Sequence, residues 1–241
     1  MKKLILGAAA MVAGLVFADS EITSSNVVGY NQAVNTENPW IFIGASFEQV
    51  KGGTIMPFNS LACAEGFSDG DQIQTAYTDE NGLTQMKGYE YWDGDGWADS
   101  DMMDVVEEGT GLELGTGAWF ISESPKSVIT SGGVKKNNHI HTVTEPWSIV
   151  VSAFPAAFCP NSANVSWGCA DGSQIQTAYT DDNGLTQMKG YEYWDGEGWA
   201  DSDLMDLISD DTAVVGAGVG FWFIVEDPAS SSFTEVSPLA E

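Results

Sequence analysis

The chain has 241 residues, 43% of them apolar and 11% aromatic, which supplies a core for one large or two small domains and argues against disorder. Thirty-five acidic side chains stand against eight lysines and no arginine, giving a net charge of −27. That balance excludes nucleic acid and anionic membrane surfaces as partners, since both need clustered Lys or Arg to displace counterions.

The first element in chain order is a leader. Lys2 and Lys3 precede an apolar run from Leu4 to Phe17, and Val16, Phe17 and Ala18 present small residues at the last positions before a cleavage site. Residues 1–18 therefore read as a signal peptide. The run is too short for the roughly twenty residues a spanning helix needs, and polar Asp19, Ser20 and Glu21 follow it. The mature chain is expected outside the cytoplasm, extracellular, at the cell surface or in the periplasm, with no membrane insertion after cleavage. Loss of two lysines takes its charge from −27 to −29.

From there the signals are for short strands. WIFIGASF at 40–47, QIQTAYT at 72–78, QMKGYEYW at 85–92 and AWFIS at 118–122 are rich in β-branched and aromatic residues and bounded by Gly, Asp and Asn. Asn81-Gly82 predicts a two-residue hairpin turn with positive φ at both centres. One helical candidate follows, DSDMMDVVEE at 99–108, in which Ser100 would cap and Met102, Met103, Val105 and Val106 would cover a sheet edge. His139 and His141 alternate on a strand and read as a surface pair. Three cysteines suit an exported protein; a bridge between Cys159 and Cys169 would leave Cys63 over, although spacing leaves all three connectivities open.

The second half of the chain then repeats the first. The segment 69–104 returns at 171–206 with a shift of 102 and 32 of 36 positions identical. Flanking echoes pair Trp40 with Trp147 and Trp119 with Trp222. Two tandem homologous β units are expected, 19–130 and 131–241, each a sandwich or barrel-like body of Greek-key or meander strands with at most one short helix. Trp40, Trp119, Trp147 and Trp222 are expected in the core, and Asn183-Gly184 repeats the hairpin.

Two chemistries stand out inside the repeated segment. Asp93, Asp95, Asp99, Asp101 and Asp104, repeated as Asp195, Glu197, Asp201, Asp203 and Asp206, offer the oxygen-rich set that calcium takes. Laid on an EF-hand loop they fall at positions 1, 3, 7, 9 and 12, but Trp97 and Ala98 occupy positions 5 and 6, so that motif fails. Tyr91, Trp92 and Trp97, with Tyr193, Trp194 and Trp199, place aromatic faces beside carboxylates, the pairing that binds a sugar ring. Motifs for a serine hydrolase, a zinc protease, a dinucleotide site or a P-loop are absent.

The SSNVVGY start at 24–30, GDQIQ at 70–74, YEYWDGDGW at 89–97 and GFWF at 220–223 together resemble a class of secreted β-rich proteins of Verrucomicrobia-type bacteria. That resemblance implies an exported β-rich bacterial protein and brings no activity with it. The expected function is a secreted, non-catalytic binding or self-assembling protein whose partner is itself or another surface protein. Its alternatives are a bivalent, calcium-dependent carbohydrate-binding module whose partner is a glycan, and third a secreted hydrolase.

Overall fold

The computed structural model describes residues 28–35, 40–49 and 53–239. The expected signal peptide lies outside them. The first unit contains β1 (Val28–Asn35), β2 (Trp40–Gly44), β3 (Ile55–Pro57), β4 (Ala62–Cys63), β5 (Gln72–Thr78), β6 (Thr84–Trp92), β7 (Gly96–Asp99), β8 (Asp104–Val105), β9 (Gly111–Glu113), β10 (Gly117–Ile121) and β11 (Lys126–Gly133). The second contains β12 (His139–Thr142), β13 (Trp147–Val150), β14 (Val165–Gly168), β15 (Gln174–Thr180), β16 (Thr186–Trp194), β17 (Gly198–Asp201), β18 (Asp206–Leu207), β19 (Phe221–Ile224) and β20 (Ser232–Glu235).

The chain is all-β. In the first unit a six-stranded sheet, β2-β10-β5-β6-β7-β8, covers a three-stranded one, β1-β11-β4. The second unit repeats both sheet orders, as β13-β19-β15-β16-β17-β18 over β12-β20-β14, while the paired strands β3 and β9 of the first unit are matched there by the single bridge Phe158–Val215. Alternation along each strand explains the layers, because a residue and its next-but-one neighbour share a sheet face. Ile41 and Ile43 of β2 and Ala118 and Phe120 of β10 point into the first core with Ile73, Tyr89, Trp97 and Val128. Phe42 and Trp119, one step along, point out of it and meet Ile149 and Trp222 of the other unit.

That outward contact is a seam with near two-fold symmetry. Gly44 lies where a Cβ would stand 2.4 Å from Val151, its own counterpart, and Gly117 and Gly220 lie against Ile149 and Phe42 in turn. Gly115 abuts His139 while Gly218 abuts Asn31, so the same contact is made twice with different side chains. Hydrogen bonds cross as well: Val151 N–H donates to the Gly115 carbonyl at 3.0 Å, and the Ser46 side chain Oγ–H to the Ser152 carbonyl at 2.7 Å. A self-complementary patch of this kind is the geometry of a two-fold dimer written into one chain.

Four local expectations are corrected. The hairpins at Asn81 and Asn183 are three-residue loops. Asp79 N–H bonds the Leu83 carbonyl at 2.9 Å, and only Gly82 (φ +78°) and Gly184 (φ +77°) take positive φ. This is a type I turn followed by a left-handed glycine, favoured because the Asp79 carboxylate accepts N–H bonds from Asn81 and Leu83, both 2.9 Å. The segment 99–108 is a strand, a tight turn and a strand, with Met102 and Met103 exposed. The Asp99 carboxylate captures the N–H groups of Asp101 and Met102 at 3.0 and 3.1 Å, and that competes with a helix. Of the four tryptophans expected inside, Trp119 is buried and Trp222 half-buried, but Trp40 and Trp147 are exposed at the sheet edges, packed edge-on against them at 5.7 and 5.9 Å. Cys63, Cys159 and Cys169 are free thiols, so the Cys159–Cys169 bridge is not formed.

Candidate functional site

The repeated acidic residues do not converge. Asp93 and Asp95 sit in the β6–β7 turn, whereas Asp101 and Asp104 follow β7, so that four extended residues hold the two groups roughly 13 Å apart along the strand. Asp99 is already neutralised: Lys87 Nζ reaches its carboxylate at 2.8 Å, as Lys189 reaches Asp201 at 2.6 Å. Each lysine holds its aspartate below the ordinary carboxylate range and is itself held above the ordinary lysine range. The backbone N–H of Asp93 donates to the Asp69 side chain and that of Asp195 to Asp171 at 2.9 Å, so the carboxylates of Asp69 and Asp171 brace the turns that carry Asp93 and Asp195. Among the described residues no three His, Cys, Asp or Glu side chains are grouped to hold a metal. The calcium set Asp93, Asp95, Asp99, Asp101, Asp104 and its repeat Asp195, Glu197, Asp201, Asp203, Asp206 is therefore dispersed, for the plain reason that a strand runs through its middle.

The proposed aromatic platform is also divided. Trp97 and Trp199 are fully buried in the two cores. Tyr91 and Tyr193 pack beside them, with ring centroids 5.5 Å apart in both units. Trp92 and Trp194 are half-buried and, one residue further along β6 and β16, belong to the opposite sheet face. The run YEYW is thus a strand alternating between a core and an outer face, and it presents no continuous surface to a sugar.

What the repeated segment does expose, twice, is apolar. Leu83 and Leu185 at the hairpin tips are each 59% exposed, and Met103 and Met205 in the β7–β8 and β17–β18 turns are each 61% exposed. Tyr77, Met86 and Met102, and their partners Tyr179, Met188 and Leu204, are exposed too. The methionines at 103 and 205 hold φ of +57° and +55°, an uncommon conformation for a non-glycine residue that the turn retains in both copies. Met102 and Met103, expected to cover a sheet edge from a short helix, owe their exposure to the turn that replaces it.

The units differ where polar groups are buried. His141 Nε2 lies 2.5 Å from Glu235 Oε1, and both side chains are buried, so the expected surface histidine pair is corrected. Glu235 also accepts Ser152 Oγ–H at 2.6 Å and Ala153 N–H at 2.9 Å; against burial, which raises it, the His141 contact first and these two bonds after it hold the carboxyl below the ordinary range. His141 stacks on Phe233 at 4.0 Å, with His139 edge-on to it at 4.4 Å. Lys135 Nζ donates to His139 Nδ1 at 2.9 Å, and burial, then the neighbouring His141 and Lys135, push His139 down to about 4. Ser152 bonds the carboxylate and not the imidazole, so the three residues lack the order of a hydrolytic triad.

Beside this network a cleft of about 510 Å³ opens between the units, walled by Thr75, Glu113, Thr142, Thr144, Glu145 and Trp147 among others. Among the described residues no helix is long and apolar enough to cross a membrane. No family model, curated protein or solved structure matches the chain, so the reading of its surface rests on its own geometry.

Proposed function

We propose that the protein is an exported, non-catalytic protein that acts by binding or self-assembly, displaying one surface in two copies. The observation that carries this reading is the retention of the same exposed side chains at the same loops of both units. Leu83 and Leu185, and Met103 and Met205, contribute nothing to a core, yet they persist among 32 of 36 identical positions. Packing asks only for pattern and volume, so identity at exposed apolar positions exceeds what folding requires. Two like sites on one chain raise avidity when both engage.

A chain of charge −27 repels its own copies until salt screens it. Sedimentation velocity of the mature protein from about 10 mM to about 500 mM salt, a range over which the screening length falls several-fold, should reveal growing oligomers. Leu83→Ser with Met103→Asn should weaken assembly, and the matching changes at Leu185 and Met205 should then abolish it. Asparagine tolerates the left-handed backbone at 103 and 205, which keeps the fold testable by circular dichroism. A fourfold variant that assembles like the parent overturns the reading.

A further inference from the structure

We infer that the cleft between the two units is a binding site for a neutral oligosaccharide, independent of the exposed loops invoked above. Its volume, about 510 Å³, lies within the roughly 300–1,000 Å³ of small-molecule sites, and it lies at a seam between two packed bodies, where such sites concentrate. One wall carries Trp147. Its indole is held edge-on by Trp222 at 5.9 Å and remains 42% exposed, so a flat apolar surface is fixed in place yet open to solvent.

The remaining wall sets the ligand class. Thr75, Thr142 and Thr144 supply hydroxyls that both donate and accept, and Glu113 and Glu145 supply carboxylate acceptors. Thr142, Thr144 and Glu113 are exposed, so their polar atoms are available at the cleft mouth. No lysine lines it: Lys87, opposite Thr75 in the sheet register, is paired with Asp99, and Lys135 is bonded to His139. His139 accepts that bond at Nδ1 and is uncharged at neutral pH, its pKa held at about 4. An anion would meet two carboxylates while the neighbouring lysines are already engaged, Lys87 by Asp99 and Lys135 by His139, which disfavours phosphates and acidic sugars. A purely apolar ligand would strip water from the threonines and glutamates without replacing their hydrogen bonds. A neutral sugar chain meets both demands, laying its C–H face on an aromatic ring and giving its hydroxyls to carboxylates and threonines.

The test is calorimetric titration of the mature protein with cellohexaose, hexa-N-acetylchitohexaose and mannohexaose, with the glucosamine hexamer as amine-bearing control. At least one is expected to bind, with Trp147→Ala weakening it tenfold or more and Trp147→Phe retaining most of the affinity. Thr142→Val and Glu145→Gln, which disturb the wall without removing an aromatic, should each weaken binding about threefold. Trp40→Ala, at the same strand position of the first unit and off this wall, should leave it unchanged. Failure of all three probes to bind overturns the inference, as does undiminished binding by Trp147→Ala or equal loss in Trp40→Ala. Binding of an amine-bearing glucosamine hexamer alone would replace it with a cation site formed by Glu113 and Glu145. None of these outcomes bears on assembly through Leu83 and Met103, which sedimentation reads separately.

Discussion

The two units share a strand order but place their buried charge at different points. In the first, Lys126 and Asp71 are both buried and 3.3 Å apart, with Lys126 Nζ also donating to the Gly66 carbonyl and Ser68 Oγ at 2.7 Å each. In the second, the equivalent positions are Ser231 and Ser173, again buried. Conversely, the His141–Glu235 pair of the second unit corresponds by strand register to Ala33 and Thr130 of the first. The lesson is that buried ionic residues change in pairs. The single non-conservative difference in the 36-residue repeat, Asp71 against Ser173, has its reason outside the repeat, in Lys126 against Ser231.

The sharpest way to break this comparison is to transplant half of it. Asp71→Ser alone leaves Lys126 buried without its counter-charge and should destabilise by about 3–5 kcal/mol, whereas Asp71→Ser with Lys126→Ser should recover most of that loss. Denaturant midpoints of the two variants decide the matter; equal losses in both would show that the pair is not the unit of exchange.

A smaller effect concerns pH. His139 has its folded pKa depressed from 6.5 to about 4, so the unfolded chain binds the proton first and stability falls as pH drops from about 6.5 towards about 4. Glu235, held below its ordinary 4.5, adds a further loss only at lower pH. His139→Asn installs the residue that the first unit carries at that place, Asn31, and should flatten the slope between pH 6.5 and 4 in melting temperature measured against pH. An unchanged slope would assign it elsewhere.

The smallest effect tests where the units are alike. Gly82→Ala and Gly184→Ala should each cost about 1 kcal/mol, and equally, because both glycines hold φ near +78°. Asn81→Ala and Asn183→Ala should cost less, since neither asparagine takes positive φ. Unequal glycine costs would mean the hairpins are less alike in energy than in shape.

The sequence by itself determined the β class, the duplication and the hairpin positions. These depend on local alternation, on turn residues and on identity between segments, all carried within a few residues or by direct comparison. Tertiary structure decided which aromatic is core and which is surface: Trp97 is buried because Phe58 and Phe67 close over it within the first core, and Trp147 is exposed because it stands on an edge strand. It also placed Asp93 and Asp95 at one end of β7 and Asp99, Asp101 and Asp104 at the other, with the same division about β17, and among the described residues no three of these carboxylates are grouped to hold a metal. The seam, the His141–Glu235 pair and the cleft beside them were beyond local pattern altogether. They bring together residues about a hundred positions apart, such as Ser46 with Ser152 and His141 with Glu235, and no periodicity encodes a contact between two faces that each look complete alone.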